Sequence, residues 1–133
     1  MGRNSTPLIV ILSAERAELS ASENQDRTTR LAGLLMDQYG YARVLEGCYK
    51  GVKETSFIVD IYTVDKLGIL KEIAFGVFGQ ESILILNTDS SPSLEFADGS
   101  SEHLKGKFQR VESVEGLDSW TRDPSNGKYY AIV

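Results

Sequence analysis

The sequence predicts an α/β (α+β) domain: a mixed sheet built on a βαββαβ core, ferredoxin-like or a small three-layer variant, with a β-rich C-terminal extension. Three observations carry this. Two unbroken aliphatic runs, Leu8–Leu12 and Ile83–Leu86, have the length and β-branching of buried strands. Two longer stretches, after Ser22 and after Thr63, repeat their apolar residues at helical spacing. The last third instead alternates apolar and polar residues between turn-forming clusters.

Taken in order, Leu8 to Leu12 follows Pro7 and ends at Ser13, as a strand covered on both faces would. Residues 14–21 are polar and read as a loop. Ser22 can cap a helix over about 23–39, with Gln25 completing a capping box and Glu23 and Asp26 favouring its dipole. Leu31, Leu34 and Leu35 give that helix one apolar stripe, and Gly40 is its stop. Tyr41–Glu46 reads as a strand, Gly47–Thr55 as a wide glycine-containing connection, and Ser56–Tyr62 as the next strand. Thr63 caps a second helix over about 64–78, and Ile83–Leu86 is the fourth strand.

Neither aliphatic run alternates, so something from the last third must cover the second sheet face. Leu94–Phe96 before the Asp98-Gly99 turn and Lys107–Val111 read as strands there. Ser119–Arg122 and Lys128–Val133 flank Asp123-Pro124-Ser125-Asn126-Gly127 as a terminal hairpin. The chain reads as one domain over 1–133, with a core over 7–87 and an extension over 94–133.

Composition narrows the function classes. At 133 residues the chain can bury roughly two-thirds of the surface its unfolded form exposes, without metal or disulfide. One cysteine, no signal peptide and no long apolar segment point to a cytoplasmic protein with no membrane partner. Nineteen acidic against fourteen basic residues argue against general nucleic-acid binding. Trp120, Tyr129 and Tyr130 then serve the core rather than a base-stacking platform.

No catalytic or metal signature is present. The only histidine, His103, lies in the polar stretch Ser100–His103, read as a surface loop, so neither a triad nor a zinc site is expected. Cys48 reads as a small residue in a turn. Gly47-x-x-x-Gly51 lacks the Lys-Ser/Thr ending of a phosphate loop and precedes a strand. No cofactor is implied.

What remains is a polar cluster split over three element ends. Asn24, Arg27 and Arg30 share a face of the first helix, where arginines can reach an anionic ligand. Glu54 and Ser56 enter a strand, and Gln80 follows Phe78-Gly79 at a helix end. These six form the candidate ligand site for a nucleotide-like anion. The competing expectation is an Arg27–Glu54 ion pair that staples helix to sheet.

With these motifs in view, the chain resembles a family of small bacterial and phage domains of unknown function. The resemblance rests on Ser22-Glu23-Asn24-Gln25-Asp26-Arg27, on Gly51 through Glu54-Thr55-Ser56-Phe57, and on Phe78-Gly79-Gln80, within about residues 7–87. It implies a fold and a site but no reaction. The expectation drawn is a non-enzymatic cytosolic binding protein, a phage-encoded modulator or inhibitor of a host protein. Its alternatives are a small-molecule-binding protein or enzyme using Arg27 and Glu54, and a virion or assembly component.

Overall fold

A computed structural model describes residues 7–133. Nine strands form one sheet: β1 (Leu8–Leu12), β2 (Arg43–Tyr49), β3 (Val52–Ile61), β4 (Ser82–Leu86), β5 (Pro92–Phe96), β6 (Ser101–His103), β7 (Phe108–Val111), β8 (Trp120–Asp123) and β9 (Lys128–Ile132). Helix α1 (Ala21–Tyr39) follows β1, and α2 (Val64–Lys71) follows β3 and widens into a π turn over Glu72–Val77. The βαββαβ order therefore stands, and the strands lie as β6-β5-β4-β1-β3-β2-β8-β9-β7.

Each described strand pair is antiparallel, where a mixed sheet was expected. The reason is topological. Each helical crossover skips one position: β1 and β2 are separated by β3, and β3 and β4 by β1. Parallel strands thus never become neighbours.

Strand alternation divides the core. Val10, Leu12, Phe57, Val59, Ile61, Ile83 and Ile85 face the helices, packing with Leu31, Leu35, Leu70, Ala74 and Phe78. Ile11, Leu45 and Leu86 form a second cluster on the other face with Ile9, Ile58, Leu84 and Phe108. Phe108 belongs to β7, the far edge of the sheet, so the sheet curls until its C-terminal end covers that face. The last third supplies the cover that the two unalternating runs required. Phe108 also stacks on Tyr130, with ring centroids 5.7 Å apart.

Several boundaries differ from expectation. Helix α1 is capped by Ser20, not Ser22. Ser20 Oγ accepts from Glu23 N–H at 3.1 Å while Ser20 N–H donates to Glu23 Oε1 at 3.2 Å, a reciprocal box that starts the helix at Ala21, two residues earlier than expected. The wide connection over Gly47–Thr55 is instead a continuous hairpin ladder. Its turn is only Lys50-Gly51, with φ of 50° and 82°, the two positive values that such a tight turn demands. Cys48 consequently lies in β2 rather than in a turn.

His103 is in edge strand β6, with its Nδ1 3.0 Å from Ser93 Oγ across the β5–β6 pair. Gly40 ends α1 at φ 85°, and Thr63 caps α2 through Lys66 N–H, both as the sequence indicates. No described helix is long and apolar enough to cross a membrane.

Candidate functional site

The polar motifs converge on the short segment Ser13–Arg16, where the chain leaves β1 for α1. Asn24, on the first turn of α1, holds the segment from both sides. Its Oδ1 accepts from Arg16 N–H at 2.9 Å and its Nδ2 donates to Arg16 C=O at 3.0 Å. One turn on, Arg27 Nε donates to Ala14 C=O at 2.7 Å, and its Nη2 reaches Phe78 C=O. Gln80 Nε2 donates to Glu15 C=O at 3.1 Å. Ser13 Oγ donates to Thr55 C=O at 2.8 Å and accepts from Glu15 N–H at 3.1 Å.

The expected Arg27–Glu54 staple is thus absent among the described ion pairs. Glu54 shares strand parity with Ser56 and Ile58, whereas the helix-side core takes Phe57 and Val59. Arg27 approaches from the helix side, so the sheet separates the two. Its guanidinium donates to the backbone carbonyls of Ala14 and Phe78 and lies 5.3 Å from the Phe78 ring centroid. Arg30 lies 6.0 Å from the same ring and is otherwise exposed. Ser56 is buried.

Of the six expected residues, Asn24, Arg27 and Gln80 therefore meet around one loop, Arg30 sits beside them on Phe78, and Glu54 and Ser56 lie through the sheet.

The loop they hold presents Glu15. Its Oε2 accepts from Thr55 N–H at 2.6 Å, which satisfies a β3 amide just beyond the last β1–β3 pair, Leu12–Phe57. Two open clefts meet at Glu15 and Thr55. One, of about 340 Å³, is lined also by Glu46, Gly47, Lys53, Glu54 and Trp120. The other, of about 370 Å³, runs along the start of α1 past Asn24, Gln25, Thr28 and Thr29.

The first cleft's lining carries the carboxylates of Glu15, Glu46 and Glu54 and the Lys53 ammonium, with Glu46 and Lys53 on the helix face of the sheet and Glu54 on the other. Burial and the neighbouring charge of Glu15 push the Glu54 carboxyl above its ordinary range. Glu46 is paired with Arg122 at 2.9 Å across β2–β8. Trp120, at the rim, is braced edge-on by Tyr129, centroids 5.4 Å apart at 74°. Gly47 lies opposite Glu54 in the ladder.

Glu15, Thr55 and Trp120 went unread as site residues. The only sequence signal for Glu15 is its place, an acidic residue directly beyond a buried strand, where folds expose working groups.

A family model described as the S-Adenosylmethionine lyase family matches residues 10–133. No curated protein matches the chain. The family match overturns the reading as a non-enzymatic, protein-binding modulator of a host protein, because the family is one of enzymes. It likewise replaces the resemblance to domains of unknown function. It spans the β-rich extension as well as the βαββαβ core, so both parts belong to one family unit. The chain belongs to the S-adenosylmethionine lyase family.

Proposed function

We propose that the protein cleaves S-adenosylmethionine at a carbon–sulfur bond without using water, in the acidic cleft at Glu15. The observation that carries this reading is the charge of that cleft in a chain of this family. The substrate has a permanently positive sulfonium and a protonated α-amino group, and it carries net positive charge at neutral pH. A cleft with an excess of carboxylates attracts such a cation and disfavours the nucleotide-like anion that the arginines suggested. Those arginines are engaged elsewhere: Arg27 by the carbonyls of Ala14 and Phe78, Arg30 against a ring.

The chemistry asks little of the protein. When the carbon–sulfur bond breaks, its electron pair goes to sulfur, which leaves as a neutral thioether. The carbon is then satisfied from within the substrate, by the electrons of an adjacent C–H bond or by the substrate's own carboxylate. Holding the reacting groups in that geometry supplies most of the acceleration. Trp120 offers a face for the adenine. Glu54, whose proton affinity burial and Glu15 raise, accepts a proton or a ribose hydroxyl better than an ordinary carboxylate does.

The test is incubation of the purified protein with S-adenosylmethionine in water enriched in oxygen-18. The expected products are a neutral thioether nucleoside and a four-carbon fragment free of the heavy isotope at the moment of cleavage. Intact substrate after prolonged incubation, or stoichiometric label in the first-formed fragment, would overturn the proposal.

A further inference from the structure

Five side-chain hydrogen bonds hold the backbone of Ser13–Arg16, of which Ser13 and Ala14 are buried. Asn24 fixes both the N–H and the C=O of Arg16, Arg27 fixes Ala14 C=O, Gln80 fixes Glu15 C=O, and Ser13 Oγ fixes Glu15 N–H. These groups come from α1, from the segment after α2 and from the loop itself. The residue between these anchors is Glu15, whose side chain is held in turn by Thr55 N–H through Oε2. Among the described residues no side chain bonds its second oxygen, Oε1. Glu15 also lines both clefts at the point where they join.

We propose that Glu15 is a specificity-determining residue that takes the substrate's α-ammonium on Oε1, and that Asn24, Arg27 and Gln80 are positioning residues that fix it there. This rests on the cleavage reading above and says which charge of the substrate is recognised. The choice between the two cationic groups follows from the reaction. The sulfonium charge vanishes as the bond breaks, so a carboxylate held rigidly against it would stabilise the ground state more than the transition state. The ammonium charge persists, and a fixed acceptor for it binds both states alike. Such an interaction appears in KM rather than in kcat.

The experiment compares S-adenosylmethionine with its analogue lacking the α-amino group, in wild type, Glu15→Gln and Gln80→Ala. Glutamine at position 15 keeps an acceptor for Thr55 N–H, so the fold is retained, and thermal melting checks this. Wild-type turnover of S-adenosylmethionine tests the cleavage reading by itself. Given that turnover, Glu15→Gln is expected to raise KM for S-adenosylmethionine by about tenfold or more, the weight of one charge-assisted hydrogen bond. Its kcat changes less, and KM for the desamino analogue stays near wild type. Gln80→Ala, which loosens the loop but keeps the charge, is expected to shift the amino-bearing substrate in the same direction by a smaller factor. Equal KM changes for the two substrates, or no change in either, would overturn the assignment.

Discussion

Glu15 and Thr55 are joined across the end of the β1–β3 ladder by a side chain instead of a backbone carbonyl, Oε2 accepting Thr55 N–H at 2.6 Å. A carboxylate here does two jobs. It satisfies an amide that the departing chain would otherwise leave unpaired, and it places negative charge where the two clefts meet. Because glutamine can still accept this bond, Glu15→Ala and Glu15→Gln should separate. Alanine is expected to cost about 1–3 kcal/mol through the orphaned amide, and glutamine much less. Urea unfolding of both variants checks the difference.

Arg27 should be a stability residue in the first instance. Arg27→Ala removes hydrogen bonds to two carbonyls, of Ala14 and Phe78, and the guanidinium above the Phe78 ring. The expected loss is about 2–3 kcal/mol. Lysine delivers its charge at a single point and cannot span both carbonyls, so Arg27→Lys should recover only part of it. A full recovery by lysine, measured by denaturant midpoint, would contradict the bridging role.

Much of this architecture was legible because its causes are local. Leu8–Leu12 and Ile83–Leu86 announce strands buried on both faces, and Asp123–Gly127 between alternating segments announces a hairpin. The Lys50-Gly51 turn was hidden because Gly47 and Gly51 look like one loop, although Gly47 lies inside β2. The loop around Glu15 was hidden for a different reason. Its partners Asn24, Arg27, Thr55 and Gln80 are distant in sequence and bond mainly to backbone, which no periodicity or motif records. Arg27 and Arg30 suggested an anion site because their charge is visible in the sequence, while the carbonyls of Ala14 and Phe78 that accept from Arg27 are not.

Asp123 gives the acid limb of stability. It is buried and accepts from Ser125 N–H at 2.9 Å, from Ser125 Oγ at 2.6 Å, and from the Arg43 guanidinium. These bonds, Ser125 first, hold its carboxyl below the ordinary range. With the folded value depressed, the contribution is complete above the unfolded value of 3.8 and fades as pH falls through the folded one. Asp123→Ala is therefore expected to cost about 3 kcal/mol at neutral pH and progressively less below pH 3.8, in melts recorded across that range.

Trp120 should matter to substrate more than to fold. Its ring is half-buried at the cleft rim and is steadied by Tyr129. Stacking a base on an aromatic ring is worth roughly 1–3 kcal/mol. Trp120→Ala is thus expected to raise KM for S-adenosylmethionine by about tenfold or more, and Trp120→Phe to fall between it and wild type. Steady-state kinetics on the three proteins decides this, and identical KM values would remove the adenine from that ring.

Glu54 should show opposed effects on activity and stability. Its carboxyl is raised above the ordinary value by burial and by the charge of Glu15. Between the unfolded and folded values the native state holds more protons than the unfolded one, so stability falls as pH rises through that interval. At neutral pH the ionised form is a cost that the site carries. Glu54→Gln removes the charge with little change of shape. It is expected to melt a few degrees higher than wild type at neutral pH, with the gap closing as the pH falls and wild-type Glu54 protonates. The same substitution should lower kcat/KM for S-adenosylmethionine by about a hundredfold or more, the usual scale for loss of a proton-accepting group. A variant that was both less stable at neutral pH and fully active would show that Glu54 is a structural carboxylate, and would move the chemistry out of this cleft.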